Sequence, residues 1–320
     1  MTTDWDALAA ALDEIPDLEV ERDAPAGPLC TYRVGGPIRV LVRAETPEAL
    51  LAMANADLPA TISTQPLGKG SNLLVADAGF EGIGVLLGSG FAETTFDGVH
   101  CTAGAGAMLP LVARATVRQG LTGFEWAVGV PGTIGGGVRM NAGGHGSDIS
   151  ANLVSVEVVD LSTGVQQTVS ATELDLGYRT SNVGLQHVVI SATLALADAD
   201  ADVNGEEALS EIVRWRRQHQ PGGQNAGSVF TNPPDDSAGR LIDEAGMKGH
   251  RVRTAEVSTV HANFIQADPD GSADDVMALM KEIVETVEAA SGIRLHAETR
   301  LVGFSDHDVE WVQPSKDGAS

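Results

Sequence analysis

Apolar residues recur along the chain with two periods, one typical of helices and one typical of strands. Helical spacing appears first in residues 4–15, where Trp5, Leu8 and Leu12 fall on one stripe. Period-two alternation follows in residues 38–42 and predicts a strand. The next predicted elements are a helix at 47–55 capped by Thr46, short strands between 84 and 101, a helix at 108–120, a short helix at 122–128, strands at 153–160 and 166–174, and an apolar strand at 187–196.

The acidic, turn-rich residues 198–206 predict a boundary, after which the pattern changes. We expect a loose tail at 305–320. The elements predicted after the boundary are a helix at 207–218, a loop at 220–234 with a brief strand, a helix at 238–245 capped by Ser237, a strand at 261–267, a long helix at 272–290, and an alternating strand at 293–303. This order predicts mixed α and β structure followed by a smaller α+β unit.

The densest glycine cluster lies between Gly129 and Gly146, where eight of eighteen residues are glycine. Glycine weakens helices and strands, so such a cluster indicates positive φ angles or a close approach of another group to the main chain. Its N–H groups could converge on a phosphate or a ring carbonyl, and Asn141 adds a side-chain amide. The alternative is a set of turns that packs tightly against a neighbouring element.

A second glycine-flanked loop, Gly68 to Asn72, precedes the apolar run 73–75. Consecutive N–H groups and two polar side chains suit it to wrapping a pyrophosphate. It is not the dinucleotide fingerprint, which needs a third glycine and opens a helix, and it lacks the lysine-serine order of a Walker loop.

Composition limits the classes of partner. A formal net charge of −24 disfavours nucleic acid and anionic membranes as partners. The acidic N-terminus is unlike a signal peptide, and no apolar run reaches the roughly 18 residues of a membrane span, so we expect a cytoplasmic protein. Cys30 and Cys101 are too few for a disulfide framework, and the eight histidines lack metal-ligand spacing, so we expect no metal site.

Six motifs occur in an order that resembles one family. They are GKGSNLL at 68–74, GVPGTIGGG with MNAG at 129–143, GYRTS at 177–181, NAGSVFTNP at 225–233, HANFI at 261–265 and HAETR at 296–300. Over about residues 20–304, the chain resembles the UDP-N-acetylenolpyruvoylglucosamine reductase family, the flavoenzymes of peptidoglycan precursor synthesis. The short span between GYRTS and the strand at 187 is similar to that of the family's compact subtype.

The resemblance implies a fold and an activity. The fold is α+β, with a two-subdomain FAD-binding domain of the vanillyl-alcohol-oxidase type at 20–200, divided into about 20–88 and 89–200, and a smaller α+β substrate-binding domain at 205–304. The implied reaction reduces UDP-N-acetylglucosamine enolpyruvate to UDP-N-acetylmuramate, with non-covalent FAD and NADPH, in cell-wall biogenesis and hence in cell shape and division. The implied partner is the nucleotide-sugar substrate, and we expect a monomer.

The resemblance also implies site residues at matching positions. The catalytic set is Arg179, Ser228 and Glu298. The cofactor contacts are Gly68, Lys69, Gly70, Ser71 and Asn72 at the pyrophosphate, and Gly129, Pro131, Gly132, Thr133, Gly135, Gly136 and Asn141 along the flavin. Candidate substrate contacts are Tyr178, Asn232 and His219.

The residue types suit reduction of a double bond conjugated to a carboxylate. Arg179 stays ionised and can bind a carboxylate through two donors. Ser228 can donate a proton to an enolate carbon, which is a strong base. Glu298 would be protonated or would orient a neighbouring donor, because an ionised carboxylate repels an enolate. The structural alternatives are a salt bridge, a turn and a solvated strand face, respectively.

Two positions depart from the family pattern. His219 and Thr231 stand where relatives carry lysine, so Arg214, Arg216, Arg217 or His219 could contact the substrate diphosphate instead. The alternative is that the three arginines form a solvated helix face.

Two other functions remain open from the sequence. A flavoenzyme of the same fold with histidine-tethered flavin would use His145, and a non-catalytic nucleotide-sugar-binding protein would keep the loops without the catalytic set.

Overall fold

The computed structural model describes residues 3–56, 58–59, 61–200 and 204–313. Its α-helices are α1 Trp5–Asp13, α2 Pro47–Ala54, α3 Leu109–Arg118, α4 Ile134–Arg139, α5 Gly205–His219, α6 Ala238–Glu244, α7 Ala273–Ser291 and α8 Asp306–Val312. Its strands are β1 Leu18–Pro25, β2 Pro37–Ala44, β3 Ser63–Leu67, β4 Leu73–Val75, β5 Phe80–Leu87, β6 Thr94–Asp97, β7 His100–Gly104, β8 Leu121–Thr122, β9 Gly143–Gly144, β10 Ser147–Asp148, β11 Leu153–Asp160, β12 Val165–Ser170, β13 His187–Ala195, β14 Ala197–Asp198, β15 Arg251–Val252, β16 Ala255–Val257, β17 Ile265–Ala267 and β18 Arg300–Val302.

The chain packs as two compact units, and neither is continuous in sequence. The first unit contains residues 1–24, 39–69 and 82–216, and the second contains 25–38, 70–81 and 217–320. Two short N-terminal segments therefore pack with the C-terminal part of the chain. The domain bounds expected from the sequence stay predictions.

The first unit contains two sheets and two core clusters. One sheet has the strand order β1-β2-β5-β3, with β3 parallel to β5, and its core includes Leu12 of α1 and Leu50 and Met53 of α2. The other has the order β12-β11-β13-β7-β6 and is antiparallel throughout. Its core takes in Leu109 of α3 and Ile134 of α4.

The second unit is built on the long helix α7. The antiparallel sheet β15-β16-β17 packs with this helix, and Met280 and Ile283 of α7 share a core with Phe230. A parallel pair, β4 with β18, joins Leu73 to Arg300 and so fixes the end of the loop at 68–72 in this unit.

Local signals placed most helices as predicted. The Thr46 hydroxyl accepts the N–H of Ala49 at 3.2 Å, as expected of a cap, and Gly292 ends α7 at φ +72°. None of the described helices is both long and apolar enough for a membrane span.

Predictions for the C-terminal region need correction. Residues 306–312 are helical rather than a loose tail, because Ser305 caps them and Val312 is buried; residues 314–320 lie outside the described residues. The expected strand at 293–303 is regular only in β18, although its alternation of burial is present. The expected strand at 261–267 is regular only at 265–267, and the brief strand expected at 220–234 is an isolated bridge between Phe230 and Ala297.

Other elements differ less from the predictions. The short helix expected at 122–128 is a 3-10 helix at Glu125–Gly129. Strands β15 and β16 were not predicted from the sequence, because each has only two or three residues. Of the acidic boundary at 198–206, residues 201–203 lie outside the described residues.

Candidate active site

The loop between β3 and β4 presents bare main chain. Among the described residues, none of the five N–H groups from Gly68 to Asn72 has a hydrogen-bond acceptor. Gly68 and Lys69 are exposed, and the side chains of Ser71 and Asn72 are half-buried. A run of consecutive N–H groups without protein acceptors suits an anionic group such as a pyrophosphate.

Position 70 can hold only glycine, because of its backbone conformation and its neighbours in the second unit. It has a φ of +62°, and a Cβ at this position would lie 2.2 Å from the carbonyl oxygen of Leu29. The Gly70 carbonyl accepts the N–H of Thr31 at 3.1 Å. The backbone of the loop is therefore held in one path at this residue.

The glycine-rich stretch at 129–146 contains the short helix α4. Thr133 caps this helix and accepts the N–H of Gly136 at 3.3 Å. The N–H groups of Ile134 and Gly135 each donate at 2.9 Å, to the carbonyls of Ala107 and Ala105. These two N–H groups therefore bond the neighbouring segment 105–107 of the protein, and the cofactor contact expected of Gly135 stays a prediction.

Gly68 approaches the second glycine-rich segment inside the first unit. A Cβ on Gly68 would lie 2.8 Å from Oγ1 of Thr133, so the loop passes directly over the capping residue of α4. Pro131 and Gly136 are exposed in the second segment, whereas Gly129 and Gly132 are buried and Gly135 is half-buried. Gly68 and Lys69 offer free main-chain donors, and Pro131 and Gly136 offer an exposed surface with little side chain, which fits a cofactor with a pyrophosphate and a flat ring.

Arg179 lies in a tight turn of the first unit. Gly177 and Thr180 exchange two main-chain hydrogen bonds of 3.0 and 3.2 Å, and Arg179 between them has a φ of +57°. Its guanidinium donates to the carbonyl of Gly143 at 2.9 Å and lies 5.0 Å from the ring centroid of Tyr178. Arg179 is half-buried, while Tyr178 is 55% exposed.

Asn141 is turned into the protein. Its side chain is 2% exposed, and its amide nitrogen donates to the carbonyl of Gly177 at 2.9 Å and to Oδ2 of Asp148 at 3.3 Å. Its oxygen accepts the N–H of Ser150 at 3.0 Å. The Asn141 side chain, which was expected to contact the flavin, therefore hydrogen-bonds protein groups through both its nitrogen and its oxygen.

Ser228 and Glu298 lie on neighbouring segments of the second unit. The N–H of Glu298 donates to the carbonyl of Val229 at 2.7 Å, and the side chain of Asn72 donates to the Glu298 carbonyl at 3.2 Å. Both candidate catalytic side chains are half-buried. Contrary to the structural alternative, Glu298 does not lie on a fully solvated face.

Arg300 follows Glu298 on the same face of the alternating segment. Burial lowers the pKa of the Arg300 guanidinium, and attraction to Glu298 acts against this shift. Glu298 thus has a cationic neighbour two residues along the chain.

Sequence reasoning did not assign a role to Asn263, which fixes the segment after Ser228. Its main-chain oxygen accepts the N–H of Val229 at 2.9 Å, and its buried amide both accepts from and donates to the main chain of Phe230, at 2.9 and 2.8 Å. The signal available in the sequence was an asparagine between apolar residues in HANFI, a setting where a buried amide needs partners.

The candidate substrate contacts are all near the surface. Asn232 is exposed, and its oxygen accepts the N–H of Ala238 at 3.0 Å at the start of α6. His219 is the exposed last residue of α5. Their contact with substrate stays a prediction.

The three arginines of α5 differ in their exposure to solvent. Arg214 and Arg217 are exposed, whereas Arg216 is half-buried and donates to the carbonyl of Gly129. The ring of Trp215 meets that of His145 edge-on, with centroids 5.0 Å apart. Burial lowers the pKa of both Arg216 and His145, so the imidazole is neutral near pH 7.

No group of three or more histidine, cysteine or acidic side chains in the described part of the chain could hold a metal ion. Cys30 and Cys101 are both free and buried, as expected from their number and spacing. Burial raises the pKa of the Cys101 thiol to about 11, so it stays protonated near neutral pH.

Comparison with known proteins assigns both parts of the chain. Residues 38–170 match an FAD binding domain, and residues 218–302 match the C-terminal domain of UDP-N-acetylenolpyruvoylglucosamine reductase. These matches bear out the predicted fold class, an FAD-binding domain followed by a smaller α+β domain.

Similar proteins cover nearly the whole chain. The UDP-N-acetylenolpyruvoylglucosamine reductase of a Synechococcus species is 38% identical over 91% of this chain and 96% of its own length. The enzyme of that name from an Anaeromyxobacter species is 40% identical over 92% of each chain. The crystal structure of the reductase from Thermus caldophilus superposes with a TM-score of 0.74 at 34% identity, covering 89% of this chain and 98% of that one. The chain therefore belongs to the UDP-N-acetylenolpyruvoylglucosamine reductase family.

Proposed function

We propose that this protein reduces the enolpyruvyl group of UDP-N-acetylglucosamine enolpyruvate and so forms UDP-N-acetylmuramate, with NADPH as the electron donor. The observation that carries the proposal is that the segments of Ser228 and Glu298 are joined in the second unit. A 2.7 Å main-chain bond between Val229 and Glu298 joins their segments, within the region that matches the reductase C-terminal domain.

The residues proposed to hold FAD form two sets. The bare N–H groups from Gly68 to Asn72 would bind the pyrophosphate, and the exposed surface at Pro131 and Gly136 would face the flavin ring. When bound, FAD would supply hydride transfer from NADPH to the terminal carbon of the enolpyruvyl group. His145 packs against Trp215 and needs no covalent bond to the flavin in this proposal.

Residues of the protein stabilise the negative charge and supply the proton. Addition of hydride to the terminal carbon leaves negative charge on the adjacent carbon and on the carboxylate. Arg179 stabilises this charge through its fixed cation. Ser228 then gives its hydroxyl proton to the adjacent carbon and recovers a proton from solvent, so the net reaction consumes one hydride from NADPH and one proton.

Glu298 has the role of orienting and tuning this proton donor. A carboxylate beside a developing enolate is unfavourable, so its charge must be offset. Arg300, on the same face, is the cation that offsets it.

The same proposal extends to the cellular role and the organisation of the protein. The protein acts in peptidoglycan precursor synthesis in the cytoplasm, and thereby in cell shape and division. We infer a monomer with an FAD-binding domain at 20–200 and a substrate-binding domain at 205–304.

The test is a flavin spectrum followed by turnover. We expect purified protein to be yellow, to release its colour on acid precipitation, and to oxidise NADPH rapidly only when the enolpyruvyl nucleotide sugar is present. A protein that cannot be reconstituted with FAD would contradict the proposal. Colour that stays with the acid pellet would favour a covalent flavoenzyme instead.

Ser228→Ala separates the chemical step from flavin reduction. We expect substrate reduction to fall by about 10²- to 10⁴-fold, the loss typical of a general acid, while flavin reduction by NADPH persists. Ser272→Ala is a matched control, because Ser272 caps α7 and has no part in the site. Equal loss of both half-reactions in Ser228→Ala would assign Ser228 another role.

A further inference from the structure

The turn that carries Arg179 has a backbone that needs support. Arg179 has a φ of +57°, in the left-handed region that side chains other than glycine, asparagine and aspartate rarely adopt. A residue in that conformation persists only where surrounding contacts determine its path. The guanidinium must also be held in place to bind a carboxylate through two donors.

One support acts just before Arg179. The Asn141 amide donates to the carbonyl of Gly177 at 2.9 Å, and its other end accepts the N–H of Ser150 at 3.0 Å. Asn141 itself has a φ of +38°, which asparagine tolerates better than most residues. The amide thus joins the turn to the segment that follows α4.

A second support acts just after Arg179. The Ser181 hydroxyl donates to the carbonyl of Arg139 at 2.7 Å. The Arg139 guanidinium donates to the carbonyls of Val183 and Gly184, at 3.0 and 2.9 Å. Both flanks of Arg179 are therefore tied to residues 139–141.

The same short segment also receives the Arg179 side chain. The guanidinium donates to the carbonyl of Gly143, two residues beyond Asn141. Residues 139–143 thus determine the path of the turn on both sides of Arg179 and one direction of its guanidinium.

We propose that Asn141 is a positioning residue for Arg179, and that its amide fixes the guanidinium for the substrate carboxylate rather than contacting the flavin. The inference rests on the proposed function, because it assigns the carboxylate to Arg179. Asn141, Ser150 and Gly177 all belong to the first unit, so the hydrogen bonds that carry the inference lie within that unit.

Two substitutions separate the donor from the acceptor end of the amide. Asn141→Asp keeps an acceptor for the N–H of Ser150 but loses the donor to Gly177, and it adds a carboxylate beside Asp148. Asn141→Ala loses both. Asn152→Ala is the matched control, since the Asn152 amide also donates to a carbonyl of the first unit, that of Ala195 at 3.2 Å.

We expect both Asn141 variants to lower kcat for substrate reduction by about 10- to 100-fold, as small misplacement of a catalytic group does. FAD affinity and flavin reduction by NADPH should stay within about twofold of wild type. Asn141→Ala combined with Arg179→Ala should be no slower than Arg179→Ala alone, because the two residues act as one unit. The Asn152→Ala control should retain wild-type kcat.

Limited trypsin digestion gives a readout that needs no turnover. Cleavage after Arg179, followed by mass spectrometry, should be several-fold faster in Asn141→Ala than in wild type or Asn152→Ala. Loss of FAD in the Asn141 variants, unchanged kcat, or equal loss of both half-reactions would each overturn the inference. If the wild-type protein did not reduce the substrate, the proposed function would be contradicted. The trypsin comparison would still decide whether Asn141 holds the turn.

Discussion

The two glycine-rich segments look alike in sequence but use their glycines differently. In the loop from Gly68 to Asn72, the main-chain N–H groups have no acceptor among the described residues. In the stretch around α4, the N–H groups of residues 134–137 are all bonded within the protein. Only the first segment is an open row of donors.

The second segment uses glycine for close packing. A Cβ on Gly135 would lie 3.0 Å from the Cβ of Ala105, and one on Gly137 would lie 3.3 Å from Cδ1 of Leu109. Gly136, in contrast, meets only Oγ1 of Thr133 at 3.5 Å. Glycine density therefore indicates that something approaches the main chain closely, but it does not say whether that is a ligand or the protein itself.

Gly70→Ala should have the largest effect. A left-handed conformation costs a residue with a side chain about 1–2 kcal/mol, and the new Cβ would also meet the Leu29 carbonyl at 2.2 Å. We expect FAD affinity, measured by quenching of flavin fluorescence, to fall about tenfold or more. Gly98→Ala is the control, since Gly98 has a φ of +56° with no atom within 4 Å of its Cβ position. If FAD affinity fell equally in Gly98→Ala, the strain of a left-handed residue, and not the clash with the Leu29 carbonyl, would explain the loss in Gly70→Ala.

Thr133→Val should have the next largest effect, on stability. It removes the hydroxyl that accepts the N–H of Gly136, and loss of such a cap costs about 1 kcal/mol. The measurement is the free energy of unfolding in urea for the FAD-free protein. Thr133→Ser keeps the hydroxyl and should differ from wild type by only a few tenths of a kcal/mol, and an equal loss in both variants would rule out the cap as the cause.

Gly135→Ala should destabilise the protein by less. Its Cβ would be 3.0 Å from Ala105, and overpacking costs about 1–3 kcal/mol, which the better helix propensity of alanine offsets by about 1 kcal/mol. The contact is only a few tenths of an ångström too close, so the cost lies at the lower end of this range, and we expect a net loss below about 1 kcal/mol in the same urea experiment. A clear gain in stability would mean that residues 105–107 move at little cost to make room for the new methyl group.

Gly136→Ala should have the smallest effect on stability, and the opposite sign. Its Cβ meets only an ordinary contact, so the FAD-free protein should gain about 0.5–1 kcal/mol. If the flavin lies along this exposed position, FAD affinity should nevertheless fall several-fold. Unchanged FAD affinity would remove Gly136 from the cofactor site and leave the open donors at 68–72 as the cofactor contact.

The helices were predictable because their signals are local. Thr46, Ser237 and Gly292 sit one residue beyond the helices they cap, and each is recognisable from its immediate neighbours. Short strands such as β15 and β16 escaped prediction because two or three residues do not establish a period.

The roles of single polar residues were less predictable. Asn72 was expected to face a pyrophosphate, yet its side chain donates to the carbonyl of Glu298, 226 residues away. Asn263 was recognised only as part of a motif, although it holds the segment after Ser228. An amide can bond almost any polar neighbour, so its partner depends on what folding brings next to it.

By itself, the sequence determined most of the helices and their caps, the order of the motifs and thereby the family, since each depends on residues close together in the chain or on their identity. The tertiary structure alone decided that Gly68 passes over Thr133, that Asn141 supports the turn of Arg179, and that the N–H groups near α4 are already used. These contacts join residues tens of positions apart, and packing of the cores, rather than any local propensity, sets which of them form.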